Sequence, residues 1–144
     1  MNKEYQLIPN YTQCVNIVNA CNAFSRHVQE VDGVEVESFK YHIQLKDMWE
    51  GMYRLNMRGT TFVNKKLAAL PFPKFFNVGE HPSTTNVDFN NVSHIFEKID
   101  GSLISVFYVN NKLCLKSMRS VYSDVAIEAQ KKVTPEVLAF SKKL

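Results

Sequence analysis

The stretch EKIDGSLISVFYVNNKLCLKS, residues 97–117, carries the clearest structural pattern in the sequence. Its middle part, Leu103 to Val109, mixes β-branched and aromatic residues and predicts a strand. Asn110-Asn111 can adopt the positive φ angles of a tight hairpin turn, and Leu113 to Ser117 then predicts the returning strand. This half of the stretch therefore predicts an antiparallel hairpin.

The beginning of the same stretch predicts a turn between two strands. Residues 92–97 predict a strand, and Asp100-Gly101 is a common turn pair. Lys98 is then expected at the end of one strand, immediately before the turn into the next. We therefore expect strands near 92–97, 103–109 and 113–117 to form one antiparallel group.

The rest of the chain predicts helices towards both ends and short strands between them. Apolar residues at helical spacing, from Cys14 to Val28, predict a helix over residues 11–28 with Asn10 or Thr12 as its cap. The further predictions are a turn at Asp32-Gly33, a half-buried strand in which Phe39, Tyr41, Ile43 and Leu45 alternate with polar residues, a strand from Thr60 to Val63, a shaped loop over 70–82, a helix from Tyr122 to Lys132, and a last helix that starts at Thr134-Pro135-Glu136. This order predicts an α+β fold with mostly antiparallel strands.

The composition indicates one globular domain. The chain has 144 residues, of which 45% are hydrophobic and 22% are charged, an ordinary balance for a folded protein. Its 17 basic and 14 acidic residues give a net charge of +3, which permits a phosphate-bearing partner without demanding one. The short lysine pairs along the chain are more typical of solvated surface than of a nucleic-acid-binding patch.

The cysteines and histidines predict neither a disulfide framework nor a metal site. The three cysteines are an odd number, and Cys14 and Cys21 are two helical turns apart, too far for a bond. The four histidines lack the spacing of zinc ligands. The sequence contains no apolar run of the ~20 residues that a membrane helix needs and no pattern of a signal peptide. We therefore expect a soluble, cytoplasmic protein.

Lys98 lies where a lysine could serve either of two purposes. The simpler interpretation is a solvated lysine on a surface hairpin, because Lys-x-Asp-Gly occurs often by chance. The functional interpretation is a nucleophile that attacks the α-phosphorus of ATP, expels pyrophosphate and holds AMP as a phosphoramide. Such an amine must be deprotonated, which requires nearby positive charge or desolvation. Further cations must balance the triphosphate.

Three segments, in the same order, resemble one known family. Lys98-Ile99-Asp100-Gly101-Ser102-Leu103 resembles the first motif of the covalent nucleotidyltransferases, which include DNA ligases, RNA ligases and mRNA capping enzymes. Upstream, PKFFNVGEHP (residues 73–82) looks like the lysine-phenylalanine-phenylalanine-asparagine segment of the RNA ligase 1 family of phage, and MRGTTF (57–62) looks like its arginine-glycine segment. Residues 39–130 can be laid on this family continuously, although the stretch from Phe62 to Lys74 is a few residues short.

The resemblance implies an ATP-dependent RNA ligase with an antiparallel-sheet nucleotidyltransferase fold. It implies that Lys98 takes AMP and that Gly101 lets the backbone turn beside the nucleotide. The other nucleotide-binding residues that it implies are Arg58, Lys74, Phe76, Glu97, Asp100, Lys116 and Arg119. It also implies ATP and Mg²⁺ as cofactors, RNA ends, for example those of broken tRNA, as substrates, and the host cytoplasm as the location if the protein is encoded by a phage.

Two departures from the family indicate an incomplete enzyme. The family has a second pocket lysine followed by Gly-Ser, whereas the segment here is KSMRS (116–120), which puts Met118 at the lysine. Lys116 or Arg119 would be an imperfect substitute for it. The later motifs of the family, with a ribose-binding glutamate, an acid near the metal and a closing pair of lysines, have no match. We therefore expect residues 1–144 to be the N-terminal portion of the nucleotidyltransferase domain.

These observations leave two functions open. The first is an RNA ligase in truncated or split form, completed by a C-terminal ligase half or by homo-oligomerisation. The second is a non-catalytic, shortened relative that binds nucleotide, RNA or a protein partner. Met118 and the unmatched motifs favour the second function, whereas Arg58, Lys74 and Lys98 favour the first.

Overall fold

The computed structural model describes residues 7–143 and has an α+β fold with antiparallel sheets. Within this range the helices and strands are, in chain order, α1 (Tyr11–Ala20), β1 (Phe24–Val31), β2 (Val34–Tyr41), β3 (Arg58–Val63), β4 (Lys66–Ala69), β5 (Ser105–Val109), β6 (Lys112–Lys116), α2 (Asp124–Lys131) and α3 (Pro135–Ser141). Short 3-10 turns occupy Arg54–Asn56 and Pro82–Thr84. The predicted α+β class is confirmed, and the nucleotidyltransferase fold stays a prediction.

Strands β1 to β4 form an antiparallel sheet in the order of the chain. β1 and β2 pair along their full length, and the turn between them holds Asp32 at φ 51° and Gly33 at φ 74°. Positive φ at both positions is what a two-residue hairpin requires, so the predicted turn is confirmed. The predicted strand from Thr60 to Val63 is also confirmed, as part of β3.

Helix α1 ends at Ala20, so the prediction of a helix to residue 28 is wrong beyond that point. Asn10 caps the helix as predicted: its side chain accepts a hydrogen bond from Gln13 N (2.9 Å), and Gln13 accepts one from Asn10 N (2.8 Å). Phe24 and Val28 belong instead to β1. Residues four apart share a face in a helix and also in a strand, so their spacing did not distinguish the two.

Two predicted strand segments have no regular structure. β2 ends at Tyr41, so the prediction of strand over residues 42–45 is wrong. There the chain turns away from the sheet, and Met48 N donates to Leu45 O (3.4 Å). Residues 92–97 are likewise irregular and fully on the surface, because no neighbouring strand among the described residues pairs with them.

The hydrophobic core lies on both faces of the four-stranded sheet. On one face, Tyr11 of α1 packs edge-on against Phe39 (5.9 Å between ring centres) and Phe62 (5.6 Å). On the other face, Phe107 and Val109 of the β5–β6 hairpin pack against the sheet. They form a buried cluster with Val36 of β2 and Ala69 of β4. The sheet therefore holds α1 and the second hairpin in fixed places.

The second hairpin and the last two helices follow the predictions closely. Asn110 (φ 48°) and Asn111 (φ 62°) form the turn between β5 and β6. The predicted helix over 122–132 is observed as α2, capped by Ser123, whose side chain accepts from Ala126 N. Thr134 caps α3 in the same way, with Pro135 at the first helical position.

Gly59 lies where the two layers come closest. Its φ is 106°, and a Cβ atom added there would lie 2.9 Å from the backbone oxygen of Met118, in the segment after β6. Other residues avoid this φ, and a backbone oxygen cannot move aside as a flexible side chain can. A glycine at this position therefore lets β3 and the end of β6 touch.

Replacing Gly59 by alanine should destabilise the fold by roughly 2–3 kcal/mol, since it combines backbone strain with a steric clash. The matched control is Gly33→Ala, which also has positive φ but meets nothing within 4 Å and should cost about 1 kcal/mol. Urea unfolding of both variants measures the difference. Equal losses would show that the contact with Met118 contributes nothing.

Candidate functional site

Arg58, at the start of β3, contacts the loop after β4 that carries Lys74. The guanidinium of Arg58 donates from Nη1 to Pro73 O (3.3 Å) and lies 5.7 Å from the centre of the Phe75 ring. The backbone N of Lys74 donates to Leu55 O (2.7 Å), three residues before Arg58. These contacts hold the Arg58 guanidinium against Pro73 and Phe75, the two neighbours of Lys74 in the chain; the binding of one ligand by Arg58 and Lys74 stays a prediction.

Arg58 also retains a free donor. Its Nε atom is buried and has no hydrogen-bond partner among the described residues. A buried, unpaired donor costs free energy, and it can be satisfied by an acceptor that arrives with a ligand. A guanidinium is well suited to bind phosphate oxygens in this way.

The loop that carries Lys74 is stabilised by its own side chains. Glu80 accepts from Lys74 Nζ (3.1 Å) and from Asn77 N (2.7 Å), and these two contacts lower the pKa of the Glu80 carboxyl, the backbone hydrogen bond first. Phe76 stacks on His81 with 4.2 Å between ring centres, while Lys74 Nζ lies 4.8 Å over the Phe76 ring. Glu80 and His81 thus hold Lys74 and Phe76 in place, a role that the sequence did not reveal.

Lys116 lies beside Arg58 but is not exposed. Its side chain is fully buried, and Nζ donates to Gly59 O and to Met118 O, both at 3.2 Å. Burial lowers the pKa of Lys116 to about 8. No carboxylate among the described residues pairs with it, so the ammonium joins β3 to the segment after β6 through two carbonyl oxygens. Lys116 therefore adds positive charge beneath this surface; contact with a nucleotide stays a prediction.

The titration of Lys116 should make stability depend on pH. The unfolded state keeps the lysine proton up to about pH 10.5, whereas the folded state loses it near pH 8. Between these values the unfolded state binds more protons, so stability should rise with pH. The wild type should gain up to about 3 kcal/mol relative to Lys116→Met across this interval. Urea unfolding at pH 7 and pH 10 measures the gain, and a pH-independent difference would contradict it.

Arg119 is exposed and lies in the segment between β6 and α2. Its charge contributes, after burial, to lowering the pKa of both His27 and Lys40, which lie on β1 and β2. Arg119 is therefore close to two basic residues that the sequence interpretation missed. The Asp32-Gly33 turn could have revealed this pair, because it sets the register that puts His27 and Lys40 on one face of the hairpin.

Lys98 and its neighbours are separate from these contacts. Lys98 Nζ lies 2.6 Å from Asp100 Oδ1, and the two side chains are 70% and 91% exposed. This ion pair lowers the pKa of Asp100, the hydrogen bond first. Glu97 and Gly101 are also exposed, and an added Cβ at Gly101 would meet nothing within 4 Å. No contact within residues 7–143 joins Lys98 to Arg58 or Lys74, so their convergence on one site stays a prediction.

A separate apolar groove of about 380 Å³ lies between β6 and α2. It is lined mainly by Leu113, Leu115, Val121 and Ile127, and none of the predicted site residues contributes to it. Its apolar walls do not fit a triphosphate. In the described part of the chain, no three His, Cys, Asp or Glu residues are grouped to hold a metal ion. None of the helices between residues 7 and 143 is long and apolar enough to cross a membrane.

Comparison with known proteins adds an independent line of evidence. A family model described as RNA ligase matches residues 55–143, more than half of the chain. A protein of Thermovibrio ammonificans named "Putative RNA ligase" is 31% identical over 97 residues, which make up 65% of this chain and 25% of that protein. The matched part thus spans a quarter of that relative's length. These matches lead to one conclusion: the chain belongs to the RNA ligase family.

Proposed function

We propose that this chain is the N-terminal portion of the nucleotidyltransferase domain of an ATP-dependent RNA ligase, with Lys98 as the residue that accepts AMP. The observation that carries the proposal is that residues 55–143, the part matched by the RNA ligase model, include every predicted site residue. The contact of the Arg58 guanidinium with the loop that carries Lys74 supports it further. Both residues supply charge for a triphosphate.

The proposed reaction has three steps. The lone pair of the Lys98 amine attacks the α-phosphorus of ATP, a nitrogen–phosphorus bond forms, and pyrophosphate leaves with the electrons of the broken phosphoanhydride bond. An oxygen of an RNA 5′-phosphate then displaces the lysine and takes the AMP. Finally, an RNA 3′-hydroxyl attacks that 5′-phosphate and releases AMP. The RNA strands are thereby joined, and tRNA ends are one candidate substrate.

The residues of this chain would stabilise charge in the first step. Arg58 and Lys74 would bind phosphate oxygens, and the buried Arg58 Nε offers one donor for them. Phe76, stacked on His81, would pack beside the ligand. Magnesium would neutralise the phosphates; because the described residues group no carboxylates for it, we expect it to arrive bound to ATP.

The surroundings of Lys98 support an incomplete form of the enzyme. An activated lysine needs desolvation or nearby cations, but Lys98 is exposed and paired with Asp100. The nearby apolar side chains Ile95, Phe96 and Ile99 are 82–89% exposed, and a soluble protein seldom leaves such a group uncovered. A C-terminal ligase portion or a second copy of the chain would cover this segment and desolvate Lys98.

The alternative is a non-catalytic relative that binds nucleotide, RNA or a protein partner. Met118 favours this alternative, because it stands where the family has a lysine and its thioether cannot bind phosphate through charge. The exposed Lys98–Asp100 pair is also what a lysine without a catalytic role would show. Arg58 and Lys74 would serve a binding function equally well.

Incubation with α-labelled ATP and magnesium tests the proposal. We expect the isolated chain to give little or no acid-labile label, and we expect strong label after a separately produced C-terminal ligase portion is added. Each lost transition-state contact typically costs about 10²–10³ in rate, so several unmatched motifs should suppress the reaction in isolation. No label under either condition would overturn the proposal and leave the binding function.

A further inference from the structure

Two basic residues that no part of the proposed function uses lie on one face of the β1–β2 hairpin. His27 pairs with Ser38, and Ser25 pairs with Lys40, in the antiparallel register. Paired residues share a face, and so do residues two apart on one strand. His27 and Lys40 therefore project from the same side of the sheet. Both are half-buried.

The segment after β6 is fastened over this same face. The side chain of Gln29, two residues after His27, donates to Ser120 Oγ (2.6 Å) and accepts from Val121 N (3.2 Å). At the other end of the segment, the buried ammonium of Lys116 donates to Met118 O. Arg119 lies between these two attachments, so its position beside His27 is imposed by the fold.

Lys40, Arg119 and the buried Lys116 place positive charge around His27, and none of them is paired with a carboxylate among the described residues. Burial, followed by the charges of Arg119, Lys40 and Lys116, lowers the pKa of His27. Burial, followed by Arg119, lowers the pKa of Lys40. Within residues 7–143 no salt bridge joins any of them to an acidic side chain, whereas five other lysines and one arginine are so paired: Lys74, Lys98, Lys112, Lys131, Lys132 and Arg26.

Like charges held together without a counter-charge destabilise a fold, and an anion that binds among them recovers that free energy. The cluster offers a guanidinium, an ammonium and an imidazole, all of which donate hydrogen bonds to phosphate oxygens. Lys40 is also paired with Arg58 of β3, just after a β-bulge between Phe39 and Lys40. An anion at the cluster would therefore lie beside the proposed site.

We propose that His27, Lys40 and Arg119 form a phosphate-binding site on the face of the β1–β2 hairpin that the segment after β6 crosses. The phosphate is either that of a nucleotide or the 5′-phosphate of an RNA strand, two sources with the same chemistry. The identity of the source rests on the proposed function, whereas the site itself does not. Lys40 would then supply a cation close to where Met118 replaces the lysine of the family.

Binding of inorganic pyrophosphate tests the site directly. Imidazole NMR signals report the protonation of each histidine, and His27→Gln identifies the signal of His27. A bound anion stabilises the imidazolium, so we expect pyrophosphate to raise the pKa of His27. The NMR signals of the exposed His42 and His94 serve as internal controls that pyrophosphate should not change. Lys40→Gln and Arg119→Gln should each weaken pyrophosphate binding about tenfold or more. Lys66→Gln, an equal charge change on exposed β4, should leave it unchanged.

Oligonucleotides distinguish the two sources of phosphate. Short RNAs with a 5′-phosphate or a 5′-hydroxyl are compared for binding to the wild type and to Lys40→Gln. A preference for the 5′-phosphate that Lys40→Gln abolishes assigns the site to the RNA end; pyrophosphate binding without that preference assigns it to the nucleotide. Arg119→Gln keeps the test decisive if Lys40→Gln fails to fold.

The site would be overturned if neither anion shifts the titration of His27, or if Lys66→Gln weakens binding as much as Lys40→Gln and Arg119→Gln. These results do not depend on transfer of AMP to Lys98. A chain that binds pyrophosphate at His27 but never accepts AMP would retain the site and refute the proposed function. A chain that accepts AMP on Lys98 but does not bind pyrophosphate at His27 would support the proposed function and refute the phosphate-binding site.

Discussion

Replacing Lys98 by alanine should abolish the incorporation of AMP in any assembly of this chain that accepts label from ATP. The expected loss is at least about 10³-fold, because removal of a covalent nucleophile leaves only the binding contribution of the site. Folding should be unaffected, since the side chain is 70% exposed and its ammonium is paired with the exposed carboxylate of Asp100. Acid-labile label and a thermal melting curve, recorded on the same preparation, separate the two effects.

Lys112 offers a closely matched control for this experiment. Like Lys98, it is an exposed lysine, 72% accessible, and it lies 2.6 Å from an aspartate oxygen, that of Asp32. Lys112→Ala therefore removes an equivalent charge and an equivalent ion pair at a distance from the proposed chemistry. It should retain full labelling. Equal losses in the two variants would show that general charge, and no special role of Lys98, supports the reaction.

Replacing Arg58 by alanine should have the second-largest effect, a fall of about 10²–10³ in the rate of adenylation. The guanidinium would stabilise negative charge that moves to the leaving pyrophosphate, and its buried Nε has no other partner among the described residues. Lys74→Ala should act in the same direction. The measurement is the initial rate of labelling at saturating ATP, so that weaker ground-state binding does not account for the loss.

The control variant for Arg58→Ala must lose an equivalent hydrogen bond from an arginine to a backbone oxygen. Arg58 donates to Pro73 O at 3.3 Å, and Arg54 donates in the same way to Met48 O at 3.2 Å. Arg54→Ala therefore removes an arginine and a hydrogen bond to a backbone oxygen from the same region. If Arg54→Ala slows the reaction as strongly as Arg58→Ala, both effects are structural and the phosphate role of Arg58 is wrong.

Local turn and cap chemistry was the part of the fold that the sequence predicted best. Asn110-Asn111, Asp32-Gly33 and the cap at Thr134 were each predicted from residues that favour a specific backbone geometry, and each is observed. Such preferences act over two to four residues and do not depend on the rest of the chain. The same reasoning explains the correct start of α1 at Asn10.

Elements that depend on distant partners were predicted less well. Phe24 and Val28 fit a helical face, but pairing of β1 with β2 along its full length makes this segment a strand. Residues 92–97 have strand-like composition, yet a strand needs a neighbour for its backbone groups, and none is present among the described residues.

The candidate site shows the same division. The contact of the Arg58 guanidinium with the loop that carries Lys74 is observed, whereas the convergence of Arg58, Lys74 and Lys98 on one site stays a prediction. Glu80 and the basic pair of His27 and Lys40 were not predicted, because their contacts are created by a loop and by strand register.

Mapping of the AMP attachment site is the most direct test of the central claim. The chain is incubated with ATP and magnesium, with and without a separately produced C-terminal ligase portion, and its peptides are analysed by mass spectrometry. The account predicts AMP on the peptide that contains Lys98, dependent on the added portion and removed by pyrophosphate. AMP on a different lysine, or on none under either condition, would contradict it.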